Sequence, residues 1–152
     1  MKKIKSFKLF ESAPRGVRLE DNIEGMWELY EDIKSIEYIA EEAGYNIIYN
    51  FMFKDRKYDA YLSSLTSSSV LFRIENNIPI GKFISINIEV AYPKDQVIVN
   101  AGGQIRLTPE QIEKIGVDCE RYCNLLKSHL DYVSSVKRHS GGTGKNVIVV
   151  KL

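Results

Sequence analysis

The chain has 152 residues, 44% of them hydrophobic and 27% charged, with 21 Lys and Arg against 20 Asp and Glu. Those numbers exclude a disordered chain, a collagen and a coiled-coil rod, and the length fits one domain with a short tail. No run of about 18 apolar residues occurs, so no transmembrane helix is expected.

The net charge of +1 hides an asymmetry. Residues 1–19 carry six basic residues against Glu11 alone, and residues 20–42 carry nine acids against Lys34 alone. The acidic stretch disfavours nucleic acid on its side and offers Glu28, Glu31 and Asp32 to a basic partner, unless it is simply a solvated helix face. Cys119 and Cys123 lie four apart in a helical pattern, a spacing that rarely meets disulfide geometry, so reduced thiols and a cytoplasmic setting are expected.

In chain order, residues 1–11 read MKKIKSFKLFE, with Ile4, Phe7 and Phe10 every third residue. That pattern suits a short amphipathic helix or an edge strand. Residues 12–17, with Pro14 and Gly16, read as a linker, so the chain divides into a leader or docking segment at 1–17 and a single domain at 18–152. Residues 20–43 show a helical stripe through Ile23, Met26, Trp27, Tyr30 and Ile33, closed by Gly44.

From residue 45 the apolar period becomes two. Tyr45, Ile47, Tyr49, Phe51 and Phe53 line one strand face, and a polar turn at 54–57 leads to a second strand through Tyr58, Ala60 and Leu62. Residues 63–69 read as a serine-rich connection, and Val70, Phe72 and Ile74 as a third strand. Residues 82–91 form the clearest strand, with Ile84, Ile86, Ile88 and Val90 on one side, and 96–100 a short fifth. Thr108-Pro109-Glu110-Gln111 is a capping box with Pro at the first helical position. The helix it opens, whole or broken near Gly116, is expected to reach about Arg138. A glycine joint at 141–144 then leads to a closing strand, NVIVVKL. The expected fold is α+β: an antiparallel sheet of five to six strands with two long helices packed on one face.

Catalytic patterns are sparse. Residues 139–145 (HSGGTGK) carry glycines and a lysine, but a phosphate loop needs strand, GxxxxGK[ST] and helix in that order. Cys119, Cys123 and His129 make fewer than the four ligands of a structural zinc site. Neither histidine stands in a His-x-Ser/Thr pair of the kind some phosphodiesterases use, and no GxSxG occurs. The reading therefore leans away from an enzyme and assigns no catalytic residue, metal or cofactor. Aromatic residues crowd the 45–61 hairpin around Lys54, Arg56 and Lys57, which suits either a sheet core or a platform that stacks nucleobases.

The N-terminal MKKIKSFKLFES resembles the leaders of small accessory proteins of tailed bacteriophages, of the form MK-x-x-K-x-F-x-x-F-x-E. Such leaders resemble capsid-targeting peptides, and Leu9-Phe10-Glu11 before Ser12 matches the Leu-x-Glu-type site at which those are cleaved. The resemblance covers the leader alone. It implies a phage accessory or virion-associated protein in the host cytoplasm or the virion; the charge asymmetry, the aromatic richness and the lack of a catalytic constellation fit action by protein–protein interaction. The partner contacts would be Phe7, Phe10, Glu28, Glu31 and Asp32, with processing between Glu11 and Ser12. The alternatives are a nucleotide-binding or sequestering protein anchored by Arg56, Lys57, Tyr58, Arg73 and Arg106, and a nucleic-acid or nucleotide-processing enzyme. A homodimer through an exposed edge strand is compatible with each.

Overall fold

The computed structural model describes residues 23–55, 62–141 and 144–152. The expectations for the leader, for the linker and for residues 56–61 lie outside them. The first helix, α1 (Ile23–Lys34), buries Ile23, Met26, Trp27, Leu29, Tyr30 and Ile33, the wide apolar stripe of a helix lying on a core. A break at Ser35 and Ile36 separates it from α2 (Glu37–Glu42), so the single helix expected over 20–43 is two. Ser35 Oγ donates to the carbonyl of Asp32 at 2.6 Å and satisfies one of the acceptors that a helix end leaves open. Gly44 follows with φ of +98°, a left-handed turn that glycine takes without a Cβ penalty.

Five strands form an antiparallel sheet in the order β2-β1-β3-β7-β6: β1 (Asn46–Lys54), β2 (Leu62–Leu65), β3 (Lys82–Ala91), β6 (Ser135–Ser140) and β7 (Asn146–Lys151). The register joins Tyr49 to Ile88, Ile88 to Ile148 and Ile148 to Arg138, so these residues share one face. Phe51, Ile86, Val150 and Val136 form the next row of that face, and each is buried. Trp27 and Tyr30 of α1 cover it, with ring centroids 6.2 and 5.0 Å from Phe51. The crowded aromatics of β1 are thus core, and the stacking-platform reading loses its described residues to that core.

A register shift between Met52 and Phe53 pairs Phe53 with Phe83 and Met52 with Ser85. Ile84 is the extra residue of this bulge. It is only half-buried, and Phe83 takes the inward position that strict alternation gives to Ile84. The closing strand β7 is interior, with Asn146, Ile148 and Val150 buried between β3 and β6.

Four expectations are corrected. The serine-rich connection holds β2, and the third strand over 70–74 is a helix, α3 (Ser67–Glu75). Thr66 caps it by accepting from the Ser69 amide at 3.2 Å. Val70 and Ile74, four apart, are buried while Phe72 is exposed, which is helical and not strand-like burial. The fifth strand shrinks to β4 (Ile98–Val99), which leaves the sheet and pairs with β5 (Ile105–Arg106) in a separate ribbon. The last helix, α4 (Pro109–His129), runs unbroken past Gly116 but stops at Leu130. Lys137, Arg138 and His139 therefore stand on β6 and not at a helix end, and the glycine joint links two strands. Val133 and Val136 are three apart, a helical spacing, but Val133 lies in the turn after α4 and Val136 is a buried residue of β6.

Arg138 faces the core from β6. Its Nη1 donates to the Gly116 carbonyl at 3.0 Å and to Asn146 Oδ1 at 2.9 Å, and its Nε meets Glu120 at 2.9 Å. The planar guanidinium fastens α4 to the last two strands.

Candidate functional site

The β4–β5 ribbon stands against the end of the sheet and the start of α4, and a cleft of about 490 Å³ lies between them. Its apolar floor includes Val90 at the end of β3 and Ile115 of α4, both buried. Ile105 and Leu107 form the ribbon wall, and Glu89 and Lys145 stand 3.6 Å apart at the rim. That volume falls in the range of ligand pockets, which combine apolar walls with a few polar groups.

Local sequence builds this geometry. Asn100 Oδ1 accepts from the Gly102 and Gln104 amides at 3.0 and 2.9 Å, and Gly103 takes φ of +77°, which closes the ribbon turn. Thr108 and Gln111 complete the capping box of α4. Gln111 Nε2 also donates to the Gln96 carbonyl at 2.7 Å, and Tyr92 Oη to the Gln111 carbonyl at 3.1 Å. The helix start is thereby tied to both ends of the segment that leads into the ribbon. Gly144, at φ of +85°, passes so close that an added Cβ would stand 2.7 Å from Leu107 Cδ1.

The ribbon exposes apolar side chains. Ile98, Val99 and Ile105 are 61%, 57% and 59% exposed, and they sit on a two-residue pairing outside the sheet. The arrangement can bury an apolar side chain or ring in the cleft, with the Glu89–Lys145 pair ready to orient a polar group.

The candidate residues from sequence fall in several places. Phe7, Phe10, Glu11, Ser12, Arg56, Lys57 and Tyr58 lie outside the described residues. Arg73 is on α3 and Arg106 on β5; Arg73 lines a second groove, and Arg106 is in the lining of neither. Glu28, Glu31 and Asp32 are on α1 and half-buried. Glu31 accepts from Trp27 Nε1 at 3.2 Å, and Asp32 Oδ2 from Tyr132 Oη at 2.6 Å, so part of the acidic face is engaged within the chain.

Three polar clusters escaped the sequence reading because their members are far apart in the chain. His129 Nε2 lies 3.1 Å from both Ser35 Oγ and the Asp32 carbonyl, while Ser35 Oγ itself donates to that carbonyl. A nitrogen placed evenly between a carbonyl and an already donating hydroxyl is a donor, so the pair clasps α4 to α1 and does not activate the serine. Tyr45 Oη donates to Asp118 at 2.6 Å and accepts from Lys114 at 3.3 Å. Burial pushes the Asp118 carboxyl up, but the hydrogen bonds from Tyr45 and Lys114 outweigh it and hold the group below its ordinary value. Tyr49 Oη donates to Glu37 at 2.8 Å, and beside it the buried Tyr122 hydroxyl has no hydrogen-bond partner among the described residues. Burial, then the charge of Glu37, keeps Tyr122 protonated well above the usual tyrosine range.

Both cysteines are free and buried, and burial pushes the Cys119 thiol up to about 12, which suits packing rather than nucleophilic chemistry. Among the described residues no cluster of three or more His, Cys, Asp or Glu is placed to hold a metal ion, and no helix is long and apolar enough to cross a membrane. Comparison of the chain with protein-family models, with curated proteins and with solved structures returned no match.

Proposed function

We propose that this chain is a binding protein that works by protein–protein contact, with the β4–β5 ribbon and its cleft as the contact surface. The observation that supports the reading is the exposure of Val99 and Ile105, paired across a ribbon outside the sheet, with Ile98 exposed on the ribbon's other face. A two-stranded ribbon is marginal alone, and large apolar side chains clustered at a surface mark a place where another molecule sits. A partner residue entering the cleft over Val90 and Ile115 would supply the buried anchor that dominates most interfaces. The leader motif adds the setting: an accessory or virion-associated protein of a tailed phage, in the host cytoplasm or the particle, with the segment before Ser12 directing it there.

A second reading is favoured by the same cleft, whose volume and rim charges suit a small ligand with an apolar body and a polar group. Native mass spectrometry of the protein recovered from its source cells separates the two. A complex with a second protein that is lost in an Ile98→Asp/Ile105→Asp variant supports the first reading. A monomer carrying a small-molecule adduct supports the second and contradicts the first. A mass that begins at Ser12 supports the leader assignment, and full-length protein throughout contradicts it.

A further inference from the structure

The two edges of the sheet are built differently. The β6 edge carries Lys137 and His139 exposed, a charged edge of the kind that discourages pairing. The β2 edge reads Leu-Ser-Ser-Leu, with no charge, and Leu62 is 61% exposed. Beside it lies a groove of about 480 Å³ that runs from Leu65 at the end of β2 along α3, past Ser68, Ser69, Phe72 and Arg73, to Ile78. Phe72 and Ile78 are exposed apolar walls, and among the described residues Arg73 is the one charge in the lining. Its Nη1 donates to the Pro79 carbonyl at 3.1 Å, which fixes the guanidinium and leaves further N–H donors on the fork.

An edge strand beside a helix-walled groove is the geometry of strand addition. Backbone pairing holds an extended peptide, and alternate side chains enter the groove. We infer that the β2 edge and the α3 groove receive an extended segment of a partner protein, apolar at alternate positions and acidic where it passes Arg73. Charge decides among occupants. A second copy of this chain would offer its own Leu-Ser-Ser-Leu edge, with no acid for Arg73, and the chain's leader MKKIKSFKLFE would bring lysines to it. An acidic peptide supplies the carboxylate that an arginine fork binds. This surface is separate from the ribbon, and the inference stands or falls independently of it.

The test uses two fluorescein-labelled decapeptides, one alternating valine and threonine and ending in two glutamates, the other ending in two lysines. Binding is read by anisotropy on the full chain, and amide exchange of residues 62–65 is followed in parallel. The acidic peptide is expected to bind at least about tenfold more tightly than the basic one, a gap of the size one charged hydrogen bond supplies. Arg73→Gln should erase that gap, Arg73→Lys should keep part of it, and the β2 amides should slow on binding. Equal affinity for both peptides, no binding of the acidic one, or unchanged β2 exchange would each overturn the inference. So would a dimer of the peptide-free chain whose β2 amides are already protected, since a second copy would then hold the edge. Circular dichroism and the thermal midpoint of each variant identify any that fails to fold, and the peptide comparison on the wild-type chain needs no variant.

Discussion

The helix-covered face of the sheet and the β4–β5 ribbon use the same residue types to opposite ends. On the face, Phe51, Ile86 and Ile88 are fully buried, Phe51 against Trp27 and Tyr30 of α1. On the ribbon, Ile98, Val99 and Ile105 stand more than half exposed. The difference is topological. Strands of nine and ten residues share a long ladder and can present a whole face to helices. A ribbon with two pairs of residues has no face to bury, so its apolar side chains stay at the surface. Apolar residues in a strand therefore signal core only when the strand is long enough to join a sheet.

Substitutions should separate the two regions sharply. Phe51→Ala removes a ring that packs on Trp27 and Tyr30, and should cost about 3–5 kcal/mol in urea unfolding. A loss below about 1 kcal/mol would mean that the aromatic layer is not the core described here.

Between the extremes lies the Tyr45–Asp118–Lys114 network. Because Asp118 is held below its ordinary value of 3.8, its stabilisation is present at neutral pH and is lost as pH falls through and below that value. Asp118→Asn should cost about 1 kcal/mol at neutral pH, the contribution being reduced by the exposure of its partner Lys114, and the gap from wild type should close below about pH 4. A gap that stays constant with pH would contradict the assignment. Tyr122→Phe removes a buried hydroxyl that has no partner among the described residues, so the variant should be as stable as wild type or up to about 1 kcal/mol more stable. A marked loss would show that the hydroxyl has an acceptor.

Smallest in stability is the ribbon. Ile98→Asp with Ile105→Asp should stay within about 0.5 kcal/mol of wild type at each site, since neither side chain is in the core. Under the proposed function, its effect falls on partner binding.

What the sequence disclosed follows the same division. The α1 stripe, the alternation of β1 and β3 and the Thr108–Gln111 capping box were legible because each is written within one element. The segment 70–74 reads as a strand because Val70, Phe72 and Ile74 satisfy a period of two, but the Thr66 cap and the packing of Val70 and Ile74 make it α3. The α4–β6 boundary was hidden because nothing local forbids a helix from continuing past Leu130. The inward place of Arg138 is set by its partners on α4 and β7, Gly116 and Asn146, which are distant in the chain. The cleft was not legible at all. Its walls come from β3, the ribbon, α4 and the β6–β7 turn, and the alternation over 96–100 pointed to a sheet strand.

Whether the ribbon is the proposed contact surface for another protein can be read by placing the photo-crosslinking residue p-benzoylphenylalanine at Ile105, and for comparison at Leu125 on the exposed side of α4, in protein made in its source cells. A discrete protein adduct is expected on irradiation from position 105 and none from position 125. No adduct from 105, or the same adducts from both positions, would contradict the proposal.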